Sequence, residues 1–240
     1  MPERGEPTVY ESSIGGPLLW PADEPWPHCC LPDEQAMQAG DSEPASSAMV
    51  PVLQVFKKDA PGPWWSAGAD LLQLVWCPNV HIDPPVPHED VAPVVEVRWR
   101  LAGDVGDVLD APPPPVRQED EDYGFSPRAC TLTAVHLIDF PSVFELPEEL
   151  GAGVERLVGE TGGAGEDVIT RVGGCKFGGW PSWGITDPYE VRCRTCDSVM
   201  PLLFTVASDD TTGITVGRWG DLRIFACPVE LGHGYWFDVQ

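Results

Sequence analysis

Most of the landmarks in this chain occur twice, and that repetition constrains its fold more than any other feature. Gly15-Gly16, Trp20, Pro25, Trp26 and Cys30 lie 163 positions before Gly178-Gly179, Trp183, Pro188, Tyr189 and Cys193, with no gap. Pro51, Leu53, Leu72, Cys77 and Pro78 lie 150 positions before Pro201, Leu203, Leu222, Cys227 and Pro228. The change of offset gives the first copy 13 extra residues, within Leu31 to Ala48. That stretch can loop out at small cost, because closure entropy rises slowly with length. The expectation is an internal duplication into two similar lobes.

Proline (27) and glycine (25) work against long helices and favour short strands joined by turns. Val50–Phe56 and Asp70–Trp76 read as buried strands, and Val94–Leu101 alternates like a half-buried one. Thr131–Ile138 and the closing Gly234–Gln240 read as further strands, with His136 a core histidine. One helix is expected over residues 147–158, where Pro147 and two glutamates suit a helix N-terminus. Residues 1–13 are expected to fray. The fold class is therefore α+β, mainly β. Residues 14–102 would form an N-terminal lobe and 103–129 an acidic, proline-rich linker or loop, with residues 130–240 as a C-terminal lobe carrying Cys-x-x-Cys.

A net charge of −24 argues against a broad nucleic-acid surface, which needs Lys and Arg against phosphates, and against an anionic membrane surface. It leaves solubility or a basic protein partner as its uses. No apolar run approaches the roughly 20 residues that span a bilayer, and the N-terminus does not read as a secretory signal. The chain reads as soluble and cytoplasmic, where cysteines serve as metal ligands or buried thiols more often than as disulfides.

Cys193-x-x-Cys196, with Cys227 and His233 after it, is the strongest chemical signal. Two soft ligands on a tight turn, met by a second pair from a distant hairpin, suit a closed tetrahedral zinc site with ligand atoms within about 4 Å of one another. Free thiols or a redox pair are the alternatives. A redox Cys-x-x-Cys usually opens a helix, whereas a strand-like run follows here. The first copy offers Cys30, Cys77 and His81, with Cys29 or His28 as a fourth ligand, for a weaker second site. Asp33 stands where Cys196 would be matched.

No catalytic set is legible. His88-Glu89-Asp90-Val91-Ala92 lacks the second histidine of the zinc-protease motif. Gly162-Gly163-Ala164-Gly165 has no lysine-serine pair after it, and no Gly-x-Ser-x-Gly elbow occurs. Asp209-Asp210 reads as a solvated turn or a cation holder. The tryptophans beside the Gly-Gly turns read as packing rather than recognition.

The Gly178-Gly179-Trp180-Pro181-Ser182-Trp183 opening, the Leu71-Leu72-Gln73 core strand and the Trp219-Gly220-Asp221 element resemble the YwqG-like family of uncharacterised bacterial proteins. The chain departs from that pattern in having Leu222-Arg223 where a glycine commonly follows. The resemblance implies a β-rich fold of two similar halves and no catalytic residue. The function expected is a non-enzymatic, zinc-stabilised binding protein of adaptor or immunity type. The rival is a metal-dependent hydrolase with an open Cys/His site in the N-terminal lobe.

Overall fold

Val50–Phe56 and Leu71–Trp76 are almost wholly buried, so the near-continuous apolar runs of the sequence become the centre of a sheet covered on both faces. A computed structural model of the chain describes residues 1–30, 46–79, 81, 93–115, 126–160 and 172–240. Among them are twelve β-strands in three sheets and one α-helix, a mainly β, α+β architecture as expected. The chain divides into two units. The first comprises Met1–Val135, Ser208–Gly220 and Val239; the second comprises His136–Ala207, Asp221–Asp238 and Gln240.

In the first unit, a six-stranded sheet is built from β1 (Pro2–Arg4), β2 (Ser13–Ile14), β5 (Val50–Phe56), β6 (Leu71–Trp76), β7 (Val95–Arg100) and β8 (Cys130–Leu132). Its order is β1-β8-β2-β5-β6-β7, and β3 (His28–Cys29) pairs with β4 (Ser47–Ala48) as a separate ribbon. Two glutamines lie at the centre of this core and are satisfied there. Gln54 accepts from the Leu19 N–H at 2.7 Å and from Gln73 Nε2 at 2.9 Å, and Arg100 Nε donates to Gln73 at 2.8 Å. Residues 103–115, from the segment expected to link two lobes, are tied down in this unit. Ala22 N–H donates to Asp107 and Leu109 N–H to Trp20, both at 2.8 Å. Residues 116–125, with the acidic run, and 31–45, with most of the inserted stretch, lie outside the described residues.

The second unit holds, apart from Val239, a four-stranded sheet of β9 (Lys176–Phe177), β10 (Leu202–Ala207), β11 (Asp221–Ala226) and β12 (Tyr235–Val239), in the order β12-β11-β10-β9. Its helix, α1, runs over Glu148–Glu160, directly after Pro147.

The strand group β9-β10-β11 repeats the pairings of β2-β5-β6. Ile14 faces Leu53, which faces Leu74; Phe177 faces Phe204, which faces Ile224. Both hairpins slip register at the same place, between Pro51 and Leu53 and between Leu202 and Phe204. At the slipped residues, the carbonyls of Val52 and Leu203 each accept from a glycine N–H at 2.9 Å, Gly15 in one group and Gly178 in the other. Those glycines have φ of 61° and 60°, a left-handed turn that favours glycine. Set side by side, the pairings put Leu53 level with Phe204, an offset of 151 positions rather than the 150 that pairs it with Leu203.

Three further expectations are corrected. Residues 1–13 do not fray, because Pro2–Arg4 pairs with Cys130–Leu132 and Ser13–Ile14 joins the sheet. The strand expected over Thr131–Ile138 covers only Cys130–Leu132, since its partners β1 and β2 are three and two residues long and the ladder ends with them. Beyond that point Val135, Leu137 and Ile138 are exposed despite their β-forming composition. His136 is exposed too, not a core histidine.

Candidate metal centre

The second unit brings Cys193, Cys196, Cys227 and His233 together, with their ligand atoms all within 4.8 Å of one another. Cys196 Sγ lies 3.5 Å from Cys227 Sγ, and His233 Nδ1 lies 3.4 Å from Cys227 Sγ and 3.8 Å from Cys193 Sγ. Bonds of about 2.0 to 2.3 Å to a central zinc put tetrahedral neighbours roughly 3.5 to 3.8 Å apart, so the donor set fits that ion.

Two tight turns build the group. Arg192 bridges Val199, and between them Cys193 N–H donates to Ser198 while Asp197 N–H returns to Cys193, each at 2.9 Å. Closing that turn puts Asp197 at a φ of 59°, one of two non-glycine residues with positive φ among those described. The second turn leaves β11 at Cys227-Pro228-Val229-Glu230 and enters a 3-10 turn over Leu231–His233. Each turn directs backbone N–H groups at a sulfur, those of Thr195 and Cys196 at Cys193 and those of Val229 and Glu230 at Cys227.

Those donors favour thiolates. Burial pushes the Cys193 thiol up, but the Cys196 and Thr195 N–H groups outweigh it and the net shift is downward. Cys196 is exposed and is drawn down to about 6, first by the Ser198 hydroxyl 3.4 Å from its sulfur. Burial pushes Cys227 up. Hydrogen bonding to Cys196 raises His233, whose other ring nitrogen, Nε2, lies 3.5 Å from Glu230 Oε2. That carboxylate stands where a metal-bound histidine ordinarily has its orienting partner, and residue type and spacing alone do not single it out.

In the first unit, Cys29, Cys77 and His81 converge, with ligand atoms again within 4.8 Å and all three residues buried. Cys29 Sγ lies 3.5 Å from His81 Nε2. Cys30, expected here as a ligand, is instead exposed and sits 3.7 Å from Ser46 Oγ. Neighbouring strand residues point to opposite faces, so with Cys29 turned inward both His28 and Cys30 turn out. His28 is held by the segment just before its strand, Nδ1 lying 2.8 Å from the Trp26 carbonyl.

Asp209 and the tryptophans of the first unit serve structure. Asp209 Oδ1 caps its own turn by accepting from the Thr211 and Thr212 N–H groups at 2.8 and 3.0 Å. Trp20 and Trp26 are buried against each other at 4.8 Å, whereas half-buried Trp183 meets an exposed Tyr189 at 4.9 Å and Trp180 is exposed, so packing describes the first pair of rings and not the second. Residues 88–92 and 162–165 lie outside the described residues.

No protein-family model matches the sequence, and no curated protein matches it. No helix among the described residues is long and apolar enough to cross a membrane.

Proposed function

We propose that the protein is a non-enzymatic binding protein of the cytoplasm, of adaptor or immunity type, whose second unit is stapled by a structural zinc ion. The observation that carries this reading is the convergence of Cys193, Cys196, Cys227 and His233. Four protein ligands fill the tetrahedral positions of zinc and leave none for substrate, which is the mark of a structural site. An excess of acidic over basic residues, 38 against 14, supports a basic protein as the partner, drawn in by the long-range field. A hydrolase with an open Cys/His site in the first unit is less well supported, because the three ligands gathered there are all buried.

Two further parts of the proposal concern origin. Membership of the YwqG-like family rests on the Gly-Gly-Trp-Pro-Ser-Trp and Trp-Gly-Asp motifs. Descent of both strand groups from one duplicated ancestor is supported by their shared register and shared slip.

Zinc content and partner charge are tested on the same preparation. The purified chain should carry zinc that Cys196→Ser reduces, and should bind a lysine-rich polypeptide with an affinity that falls steeply with salt. Protein free of zinc overturns the staple; absent or salt-insensitive binding overturns the basic partner.

A further inference from the structure

We infer that Cys29, Cys77 and His81 form a second metal site, holding one zinc ion inside the first unit independently of the ion at Cys193–His233. The three come from separate places in the chain. Cys29 lies on the short ribbon, Cys77 directly follows β6, and His81 lies four residues further on. Their ligand atoms nonetheless meet within 4.8 Å, at exposures of 4%, 0% and 1%.

The donor chemistry selects the ion. Two sulfurs and an imidazole suit zinc and other thiophilic metals, whereas magnesium and calcium take oxygen ligands. Charge selects the same way. Two thiolates and a neutral imidazole around a divalent ion sum to zero, so the loaded group can lie in an apolar core. Thiolates alone there would be expensive. Its walls are apolar, since Cys29 and Cys77 belong to the core cluster of Trp20, Trp26, Met49 and Val75. The group in the second unit has three sulfurs and sums to one negative charge. That charge is borne where solvent reaches it, with Cys196 exposed and His233 half-buried.

Placement within the fold is a separate line of support. Cys77 directly follows β6 as Cys227 directly follows β11. The Met49 N–H donates to Pro27 O, two residues before Cys29, at 3.0 Å; the Met200 N–H donates to Val191 O, two residues before Cys193, at 2.8 Å. In both units a histidine follows that cysteine closely in the sequence, four residues after Cys77 and six after Cys227. Cys29, Cys77 and His81 thus stand where Cys193, Cys227 and His233 stand, and only the place of Cys196 lacks a cysteine.

The test is zinc content per chain in the folded, soluble full-length protein and four variants. Wild type should carry two zinc ions. Cys29→Ser and His81→Gln should each carry one, Cys30→Ser two, and Cys196→Ser one while keeping the ion of the first unit. A wild type with a single ion that Cys196→Ser removes would overturn the second site and leave the first intact. Two ions in wild type, with neither Cys29→Ser nor His81→Gln losing one, would place the second ion elsewhere and overturn it equally. Should Cys29→Ser fail to fold, the wild-type count and His81→Gln decide.

Discussion

Glu230 Oε2 lies 3.5 Å from Nε2 of His233, the ring nitrogen opposite the one that meets the sulfurs. With zinc on Nδ1, the imidazole is neutral and carries its proton on Nε2, where the carboxylate can accept it. A hydrogen bond across that contact would fix both tautomer and ring orientation. Glu230→Gln should weaken zinc binding by about tenfold, the lower end of the range for such partners, because this carboxylate is well exposed. Competition against a chromogenic chelator reads the change. Unaltered affinity in a folded variant would mean that Glu230 does not orient the ring.

Arg223 should be the least forgiving charge in the second unit. It is fully buried, ion-paired to Asp238, and donates to the Ser182 carbonyl at 2.6 Å, with its guanidinium 4.4 Å from the Trp183 ring. Tyr189 donates to the same aspartate at 2.7 Å, and burial with that bond holds its hydroxyl well above the usual range. Asp238→Ala leaves the guanidinium without its ion-pair partner, with only the more distant pull of Asp221, and should cost about 3 kcal/mol, the lower end of what breaking buried pairs does. Denaturant unfolding measures this. A loss under about 1 kcal/mol would show that the pair is dispensable.

How far the sequence could be read is clearest at Cys29 and Cys30. Residue type and spacing identified Cys193, Cys196, Cys227 and His233, because a Cys-x-x-Cys turn carries its own geometry. Cys29 ends the two-residue strand His28–Cys29 and an identical residue follows it, and only the pairing of that strand with Ser47–Ala48 decides which of the two faces inward. The bulges at Val52 and Leu203 were hidden for a related reason, since a one-residue slip leaves composition unchanged. The pairing of Pro2–Arg4 with Cys130–Leu132 spans most of the first unit, and no local propensity records it. Val50–Phe56 and Leu71–Trp76, by contrast, were legible almost to the residue, because a strand covered on both faces must be apolar throughout.

Glycine at position 15 is required twice over. Its φ is +61°, and a Cβ there would lie 2.7 Å from the Arg128 carbonyl oxygen. Gly68 has a similar φ of +78° but nothing within 4 Å of a Cβ. Gly68→Ala should therefore cost only the backbone term, about 1 to 2 kcal/mol. Gly15→Ala must also shift backbone and should cost distinctly more. Thermal melts of the two variants side by side check the order, and equal losses would remove the steric part of the account.

Glu24 should make the stability of the first unit depend on acid. Its carboxylate meets Arg100 in a two-point contact, Nη2 to Oε1 at 2.7 Å with Nη1 on the other oxygen, and that bond holds its pKa below the ordinary value. A carboxyl depressed in the folded state releases its proton more readily there than in the unfolded chain, where it titrates near about 4.3. The stabilisation is fully present above that unfolded value and is lost as pH falls through the folded one. Glu24 is about a third exposed, so screening limits its worth to roughly 0.5 to 1 kcal/mol at pH 7. Arg100 also lies over the Trp20 ring, 4.4 Å away. Glu24→Gln should thus be less stable than wild type at pH 7 by that amount, and the two unfolding curves should draw together below about pH 4. A gap of the same size at pH 3 would mean that Glu24 acts through shape and not through its charge.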